Sequence, residues 1–303
     1  MKPAPFNYHA PTRISDVVAL LAEHAGQASL LAGGQALMPL LASRTVRPRE
    51  LIDLNRVPEL SAVTRGGFGL RVGALVRLRQ LEKDPELRAT APLLSAAAAL
   101  AGPVQVRHRA TVGGAMAYAD PAAEFPAVAL ALDARVELRG HTELRGDRVR
   151  HLPVAEFLLG AHRTARRDTE VLTAVEFPTP PGPLAVATSS IGVIEKVAPR
   201  STSPALAGAV VVLGAGTARL VLFGVAPTPV RATGAESALA GGATADEVAD
   251  AAVAGLAPPE LPAVPGAVAR LLVRGAVLRA VATARRQATA QEQATARDEV
   301  THV

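Results

Sequence analysis

The spacing of apolar residues changes period several times along the chain, and each period predicts a helix or a strand. Apolar residues recur at helical spacing after Ser15 and Asp16, which is typical of an amphipathic helix that Gly26 would end. Short apolar or alternating runs predict strands. In the first third, the predicted strands are 29–32, 51–54 and 70–74, and two further helices are predicted at 37–41 and 92–101. This order is one of alternating helices and strands.

A second block begins near Val104 and ends at a stretch with four prolines within 178–183, which is the clearest predicted boundary. Two strands joined by a glycine turn and two helices are predicted after it. The predicted elements of the second block and the C-terminal part are helix 127–132, strands 135–139, 171–177, 209–213 and 219–223, turn 214–216, and helices 245–256 and 265–286. From Gln287 the chain is polar without an apolar period, which predicts either a frayed helix or disorder.

The composition excludes several classes of protein. With 49% apolar residues, the 303-residue chain can bury a large core, and its length suggests about two domains. It has no cysteine, which excludes disulfides, thiolate zinc sites, protein-ligated iron–sulfur clusters and a cysteine nucleophile, and fits a cytoplasmic setting. Residues 1–10 have no apolar signal core. The longest uncharged stretches, 177–194 and 201–218, are interrupted by Pro, Gly, Ser and Thr, so no membrane insertion is expected.

The charge and the remaining polar residues do not indicate a nucleic-acid or metal site. The net charge is +5 at pH 7, and no dense basic run is present. Phe and Tyr together number eight, too few for a platform on which bases stack, so no nucleic-acid partner is expected. The seven histidines show neither an i, i+4 pair nor a neighbouring carboxylate cluster, so no metal site is expected. Asp120, before Pro121, is interpreted as a turn residue rather than a base.

A first glycine loop lies at Leu31-Ala32-Gly33-Gly34-Gln35, between a predicted strand and a predicted helix. Paired glycines let backbone N–H groups converge on an anion, which indicates phosphate binding. An ordinary strand–helix turn would explain the same pattern. The G-x-G-x-x-G spacing and the P-loop lysine are both absent.

A second glycine loop lies at Thr111-Val112-Gly113-Gly114, with a hydroxyl directly before it. A single phosphate would need only one such loop. Two loops could hold the two phosphates of a dinucleotide from opposite sides, which favours a pyrophosphate ligand.

Four segments carry a resemblance to a known family. They are AGGQALMPLLASRTVRPRELIDL at 32–54, VRHRATVGGAMAYADPAAEFPAVALALDA at 106–134, EVLTAVEFP at 170–178 and FGVAPTPVRA at 223–232. In order and spacing, across roughly residues 4 to 285, the chain resembles the FAD-binding (medium) subunit of molybdenum hydroxylases. That family includes the medium subunit of aerobic carbon monoxide dehydrogenase and the flavin domain of xanthine dehydrogenase.

The resemblance implies an α+β fold. The expected architecture is the two-subdomain FAD-binding fold shared with vanillyl-alcohol-oxidase-like flavoproteins, followed by a C-terminal α+β domain with a three-stranded antiparallel sheet. The implied boundaries are an FAD-binding domain at 1–177 (subdomains about 1–55 and 56–177), a C-terminal domain at 184–286 and a polar tail at 287–303.

The resemblance also implies which residues hold FAD. Those expected to wrap the pyrophosphate through backbone amides are Leu31, Ala32, Gly33, Gly34, Gln35, Ala36 and Leu37. Those expected on its other side are Ala110, Thr111, Gly113, Gly114 and Ala115, with the Thr111 hydroxyl on a phosphate oxygen. Those expected along the rest of the cofactor are Val106, Ala117 and Tyr118 in its channel, Glu124 at the adenosine end, Leu172 on the adenine and Lys196 near the flavin ring.

Four positions depart from the family pattern. Ala36 and Ala115 stand where relatives usually have a polar residue, and Ser203 stands where an Asp is common. Ile194 replaces a Tyr that in many relatives covers one face of the flavin; Ile can pack there but cannot stack as an aromatic ring.

Three functions remain open at this point. The first is an FAD subunit that passes electrons from a molybdenum and iron–sulfur partner to an acceptor and needs no catalytic acid or base of its own. Because the chain has no cysteine, the iron–sulfur clusters would lie on another polypeptide. The second is a stand-alone FAD-dependent enzyme of a biosynthetic pathway acting on a small apolar substrate, which the loss of polar groups at Ile194, Ala36 and Ala115 would favour. The third is a flavin-free relative that keeps the fold.

Overall fold

The N-terminal part of the chain forms a small parallel sheet covered by a helix. The computed structural model describes residues 2–142, 146–178, 190–214, 216–256 and 266–301. The first elements are β1 (Asn7–His9), α1 (Ile14–Glu23), β2 (Ala28–Leu31), α2 (Leu37–Ala42) and β3 (Glu50–Asp53). The strands pair in the order β1-β3-β2, all parallel. Because β2 and β3 run in parallel, the chain leaves both strands at the same edge of the sheet.

The apolar face of α1 forms the core of this subdomain. Its apolar residues Val17, Val18 and Leu21 are buried, at the helical spacing that the sequence shows. They form one core with Ile52 of β3 and with residues of the neighbouring subdomain such as Val171. The subdomain therefore shares its core with the next one.

The second subdomain is a five-stranded sheet with a layer of short helices. Two 3-10 turns, at Leu54–Arg56 and Pro58–Ser61, lead into it. Its elements are β4 (Val63–Arg65), β5 (Gly69–Gly73), α3 (Leu78–Lys83), α4 (Pro85–Thr90), α5 (Pro92–Leu100), α6 (Val104–Arg109), α7 (Val112–Tyr118), α8 (Glu124–Ala131), β6 (Arg135–Thr142), β7 (Gly146–Pro153), α9 (Val154–Phe157), β8 (Leu158–Gly160), β9 (Arg163–Thr164) and β10 (Glu170–Pro178). The sheet order is β4-β5-β10-β6-β7, with antiparallel pairs throughout.

The C-terminal part is an antiparallel sheet covered by helices. Its elements are β11 (Ser190–Val197), β12 (Ala207–Gly214), β13 (Thr217–Phe223), β14 (Val230–Arg231), α10 (Thr233–Ala240), α11 (Ala245–Ala254) and α12 (Gly266–Thr301). The strand order is β11-β12-β13-β14. The three long strands match the predicted three-stranded antiparallel sheet, and the two-residue β14 extends it by a fourth strand.

Both faces of this sheet are buried, with the period of two that strands impose. Val211 and Leu220 belong to the core that the C-terminal helices cover, whereas Val210 and Val221 join the core of the FAD-binding part. The C-terminal sheet is therefore packed directly against the helices of the second subdomain.

The predicted α+β fold is confirmed, and most predicted elements lie within a few residues of the observed ones. From Gln287 the sequence predicted either a frayed helix or disorder. In the structure this polar segment is helical and continues α12 through Thr301. The predicted boundary at 178–183 lies, beyond Pro178, outside the described residues. None of the helices in the described ranges has the length and apolar character that crossing a membrane requires.

Candidate functional site

The first glycine loop connects β2 to α2 and packs against the backbone that leads to the second loop. Gly34 has a φ of +75°, a conformation that side chains with a Cβ rarely adopt. A Cβ on Gly33 would lie 2.2 Å from the Arg109 carbonyl oxygen and 3.0 Å from Ala110 Cα. Only glycine fits at position 33, and the structure therefore brings the two predicted loops into direct contact.

The first loop has unused backbone donors. In the ranges that the structure describes, the N–H groups of residues 33–37 have no hydrogen-bond acceptor. The next N–H along the chain, that of Met38, donates to the Gly34 carbonyl at 3.0 Å. Unpaired N–H groups in a glycine loop are suited to bind an anion. The loop thus has the donor set that a pyrophosphate needs.

The second loop is different, because its amides are already used. The N–H of Val112 donates to the Val76 carbonyl at 3.0 Å, and the N–H of Gly113 donates to the Ala74 carbonyl at 2.9 Å. Thr111 caps α7: its Oγ1 accepts from the Gly114 N–H at 3.0 Å and its carbonyl from the next N–H at 2.9 Å. This corrects the expectation that both loops offer backbone amides. Among the described residues, the N–H and the hydroxyl proton of Thr111 have no acceptor, and Thr111 is only 1% exposed.

The two glycines of the second loop serve different purposes. A Cβ on Gly113 would lie 2.5 Å from the Ala74 Cβ, so glycine is required for the close approach of α7 to the end of β5. A Cβ on Gly114 would meet only the Thr111 Oγ1, at 2.8 Å. A side chain at position 114 would therefore point away from the core.

A polar network that the sequence did not predict links the loops. Asn55 Nδ2 donates to the Ala32 carbonyl at 2.9 Å, and Arg77 Nη2 donates to Asn55 Oδ1 at 2.6 Å. Arg77 Nη1 donates to the Arg109 carbonyl. Burial, together with the nearby Arg109 charge, lowers the pKa of the Arg77 guanidinium. The signal in the sequence was position: Asn55 lies two residues after the end of β3, at the sheet edge that β2 also reaches.

Asp53 anchors the same network. Burial raises the pKa of its carboxyl, but hydrogen bonds from the Tyr8 hydroxyl, at 2.6 Å, and from the Asn55 N–H, at 2.9 Å, outweigh burial and leave the pKa below its usual value. The carboxylate holds Asn55 in the orientation in which its amide reaches the first loop.

Glu124 and Lys196 form a buried ion pair. Lys196 Nζ lies 2.6 Å from Glu124 Oε1 and also donates to the carbonyls of Leu100 at 2.9 Å and Ser203 at 3.1 Å. The two side chains are 5% and 8% exposed. Burial raises the pKa of Glu124, and the bond from Lys196 only partly opposes it. The sequence assigned these residues to opposite ends of an extended cofactor; because they touch each other, at most one of those two assignments holds.

The remaining predicted residues differ in how much surface they offer to a ligand. Val106 and Ala110 are half-buried on and after α6, and Ala117 is exposed on α7. The Tyr118 ring packs against the His162 ring, with centroids 4.5 Å apart. Leu172 is 4% exposed and lies in the core of the second subdomain, so little of its surface is free for an adenine ring.

The expectation that histidines do not cluster with carboxylates is corrected by the structure. The first cluster is His9, His24 and Glu50, and the second is Glu137, His151 and Glu176. In each cluster, the potential ligand atoms lie within 4.8 Å of one another. The members of each cluster are distant in the sequence, so their spacing along the chain gave no signal.

Several known proteins are similar to this chain. A family profile described as the FAD binding domain in molybdopterin dehydrogenase matches residues 4–180. The chain is 36% identical over 269 residues to the carbon monoxide dehydrogenase medium chain of Hydrogenophaga pseudoflava, covering 86% of this chain and 90% of that one. It is 37% identical over 237 residues to the caffeine dehydrogenase subunit beta of Pseudomonas sp. (strain CBB1), covering 76% and 77%.

A solved structure of carbon monoxide dehydrogenase from H. pseudoflava, which lacks the Mo-pyranopterin moiety of its molybdenum cofactor, includes a similar chain. It superposes with a TM-score of 0.84 at 35% identity, covering 94% of this chain and 99% of that chain. The likeness therefore extends over both the FAD-binding part and the C-terminal sheet.

Proposed function

This chain belongs to the family of FAD-binding domains in molybdopterin dehydrogenases, and on that premise we propose that it is the subunit that passes electrons from a molybdenum and iron–sulfur partner, through FAD, to an acceptor. FAD when bound supplies the capacity to take up two electrons and release them one or two at a time. The residues of this chain bind and orient the cofactor.

One observation carries the proposal: the N–H groups of residues 33–37 are unpaired at the point where Gly33 touches the Arg109 carbonyl. Gly33 is buried, and Gly34, Ala36 and Leu37 are half-buried. Unpaired N–H groups along such a glycine loop are suited to a ligand with several acceptor oxygens. The pyrophosphate of FAD is such a ligand. Thr111 would add its hydroxyl from the second loop.

Lys196 has a structural role in this proposal. A cation beside the flavin would favour the anionic reduced cofactor, but the charge of Lys196 is compensated by Glu124 at 2.6 Å. The pair joins β11 to the start of α8 and to the end of α5. We therefore assign it to holding the C-terminal sheet against the FAD-binding part.

The partners follow from the relatives' names and from the composition. The similar proteins are a medium chain and a subunit beta of dehydrogenases, and one relative is a Cu,Mo-CO dehydrogenase. This chain has no cysteine with which to ligate an iron–sulfur cluster. We propose a complex in which a small iron–sulfur subunit and a large molybdopterin subunit bring electrons to it.

The cofactor part is tested by titrating the purified chain with FAD and recording the flavin spectrum. The wild type should bind one FAD per chain. Gly33→Ala should weaken binding strongly, because its Cβ would push the first loop away from Arg109. Gly234→Ala is the matched control, since a Cβ there has nothing within 4 Å. A wild-type chain that takes up no FAD, or equal binding by both variants, would overturn this part.

The electron-transfer part needs a second measurement, which is co-purification of the tagged chain from its native cells. Recovery with an iron–sulfur protein and a molybdopterin protein supports it. A yellow, monomeric chain that is active alone on a small apolar substrate would instead establish the stand-alone flavoenzyme.

A further inference from the structure

We propose that His9, His24 and Glu50 form a divalent transition-metal site, with Zn²⁺ as the ion that suits it best. The three residues lie on β1, at the C-terminal cap of α1 and at the start of β3. Two imidazoles and one carboxylate are a ligand set that zinc uses in proteins. The site belongs to the N-terminal subdomain. Glu50 pairs with Ala28 at the start of β2, whereas the first glycine loop follows the other end of that strand.

The positions of the ligand atoms fit an ion with little movement. His9 Nε2 lies 2.8 Å from Glu50 Oε2, and the ligand atoms of all three residues lie within 4.8 Å of one another. Two ligand atoms on a tetrahedral zinc ion are about 3.3 Å apart. The His9 and His24 rings are 5.8 Å apart between centroids and tilted by 31°.

The second coordination layer is also present. Asn7 Nδ2 donates to Glu50 Oε1 at 3.0 Å, which leaves Oε2 directed at His9. Such outer hydrogen bonds fix the orientation of a ligating carboxylate. His24 Nε2 lies 3.7 Å from Oε1 of the exposed Glu23 carboxylate. That carboxylate or a water molecule would supply the fourth ligand of the ion.

The charge balance favours a cation here over the other cluster. Among the described residues, no arginine or lysine pairs with Glu50, so a cation there would displace no positively charged side chain. In the second cluster, Arg71 already pairs with Glu137 at 2.7 Å and Arg135 with Glu176 at 2.6 Å. An ion there would have to displace two guanidinium groups.

The exposure of the residues permits entry of an ion. The His9 side chain is 30% exposed and the His24 side chain 24%, while Glu50 is mostly covered. An ion bound here would tie β1, α1 and β3 together.

The test is a calorimetric titration of the FAD-loaded chain, first dialysed against a chelator, with ZnCl₂. We expect one Zn²⁺ per chain. His24→Ala and Glu50→Gln should each weaken binding at least tenfold, and Asn7→Ala should weaken it about 10- to 100-fold. His151→Ala, which removes the histidine of the second cluster, is the matched control and should bind as the wild type does.

Flavin content and far-ultraviolet circular dichroism are measured on every variant to show that it is folded. Glu50→Gln changes the shape of the side chain least, so it keeps the test decisive if a histidine variant misfolds. Absence of Zn²⁺ binding by the wild type, undiminished binding by folded Glu50→Gln, or loss of binding in His151→Ala would each overturn the proposal. None of these results depends on whether the chain transfers electrons.

Discussion

The side chain of Arg77 connects Asn55 to the Arg109 carbonyl, and through Asn55 it joins the two glycine loops. Arg77 Nη2 donates to Asn55 Oδ1 at 2.6 Å, and Asn55 Nδ2 donates to the Ala32 carbonyl at 2.9 Å. The planar guanidinium can hold both acceptors at once because its donors are arranged in a rigid fork. The separation of the loops is therefore set by side chains as well as by the contact at Gly33.

The first prediction concerns this bridge. Arg77→Met keeps the apolar stem but removes both hydrogen bonds, so the loops should lose their fixed spacing. We expect FAD affinity to fall about tenfold or more, since hydrogen bonds from charged groups contribute about 1.5–3 kcal/mol. The measurement is the dissociation constant by flavin fluorescence. Arg65→Met is the control, because Arg65 is exposed and only approaches Glu86 at 3.5 Å; an equal loss there would refute the bridge.

The second prediction concerns Gly114. A side chain at position 114 meets the Thr111 Oγ1, which caps α7. The valine of Gly114→Val should therefore disturb the cap and occupy space on the face of α7 that points away from the core. We expect FAD binding to be abolished while the fold is kept, since losing a cap costs about 1 kcal/mol. Flavin absorbance retained at the wild-type level in Gly114→Val would contradict the assignment of this loop to the cofactor.

Local patterns made part of the fold predictable from the sequence. The apolar spacing around Val17 and the double glycines at 33–34 and 113–114 are short-range signals, and they indicated the helices, the strands and the loops. The match of residues 4–180 to the FAD binding domain confirms the predicted family, fold and cofactor. Which residues contact FAD stays a prediction.

The rest depended on which distant segments become neighbours. The amides after Thr111 are occupied by carbonyls of Ala74 and Val76, which no pattern within 110–115 reveals. Lys196 and Glu124 are 72 positions apart, and their contact depends on how the C-terminal sheet packs on α5 and α8. Asn55 and Arg77 likewise meet only because β3 ends beside the first glycine loop.

The third prediction concerns the pair of Glu124 and Lys196. Removing one partner leaves a buried charge without compensation, which typically costs about 3–5 kcal/mol of stability. Lys196→Met should therefore lower the free energy of unfolding by about that amount, and adding Glu124→Gln should recover much of it. Urea unfolding followed by circular dichroism measures both. A double variant as unstable as the single one would show that Glu124 is not the source of the loss.

The fourth prediction concerns Glu82, which joins α3 to α6 just before the second glycine loop. Its carboxylate accepts from Arg107 Nε at 2.8 Å and from Arg79 Nη1 at 2.7 Å, and the Glu82 and Arg107 side chains are each 12% exposed. The hydrogen bond from Arg107 is the main reason that the pKa of Glu82 lies below its usual value of 4.5.

The sign of the pH dependence follows from that lowered pKa. Below pH 4.5 the unfolded chain binds the proton at Glu82 before the folded chain does, so the stability that this group contributes is full above its usual pKa and is lost as pH falls through the folded pKa. Glu82→Gln should therefore lower the free energy of unfolding by about 1–3 kcal/mol at pH 7, and this difference from the wild type should shrink in acid.

Urea unfolding at several pH values between neutral and acid measures this difference in the free energy of unfolding. Glu86→Gln, at an exposed carboxylate, should differ little from the wild type at any of them. A difference for Glu82→Gln that stays constant with pH would show that the amide acts through packing and that the carboxylate charge contributes nothing.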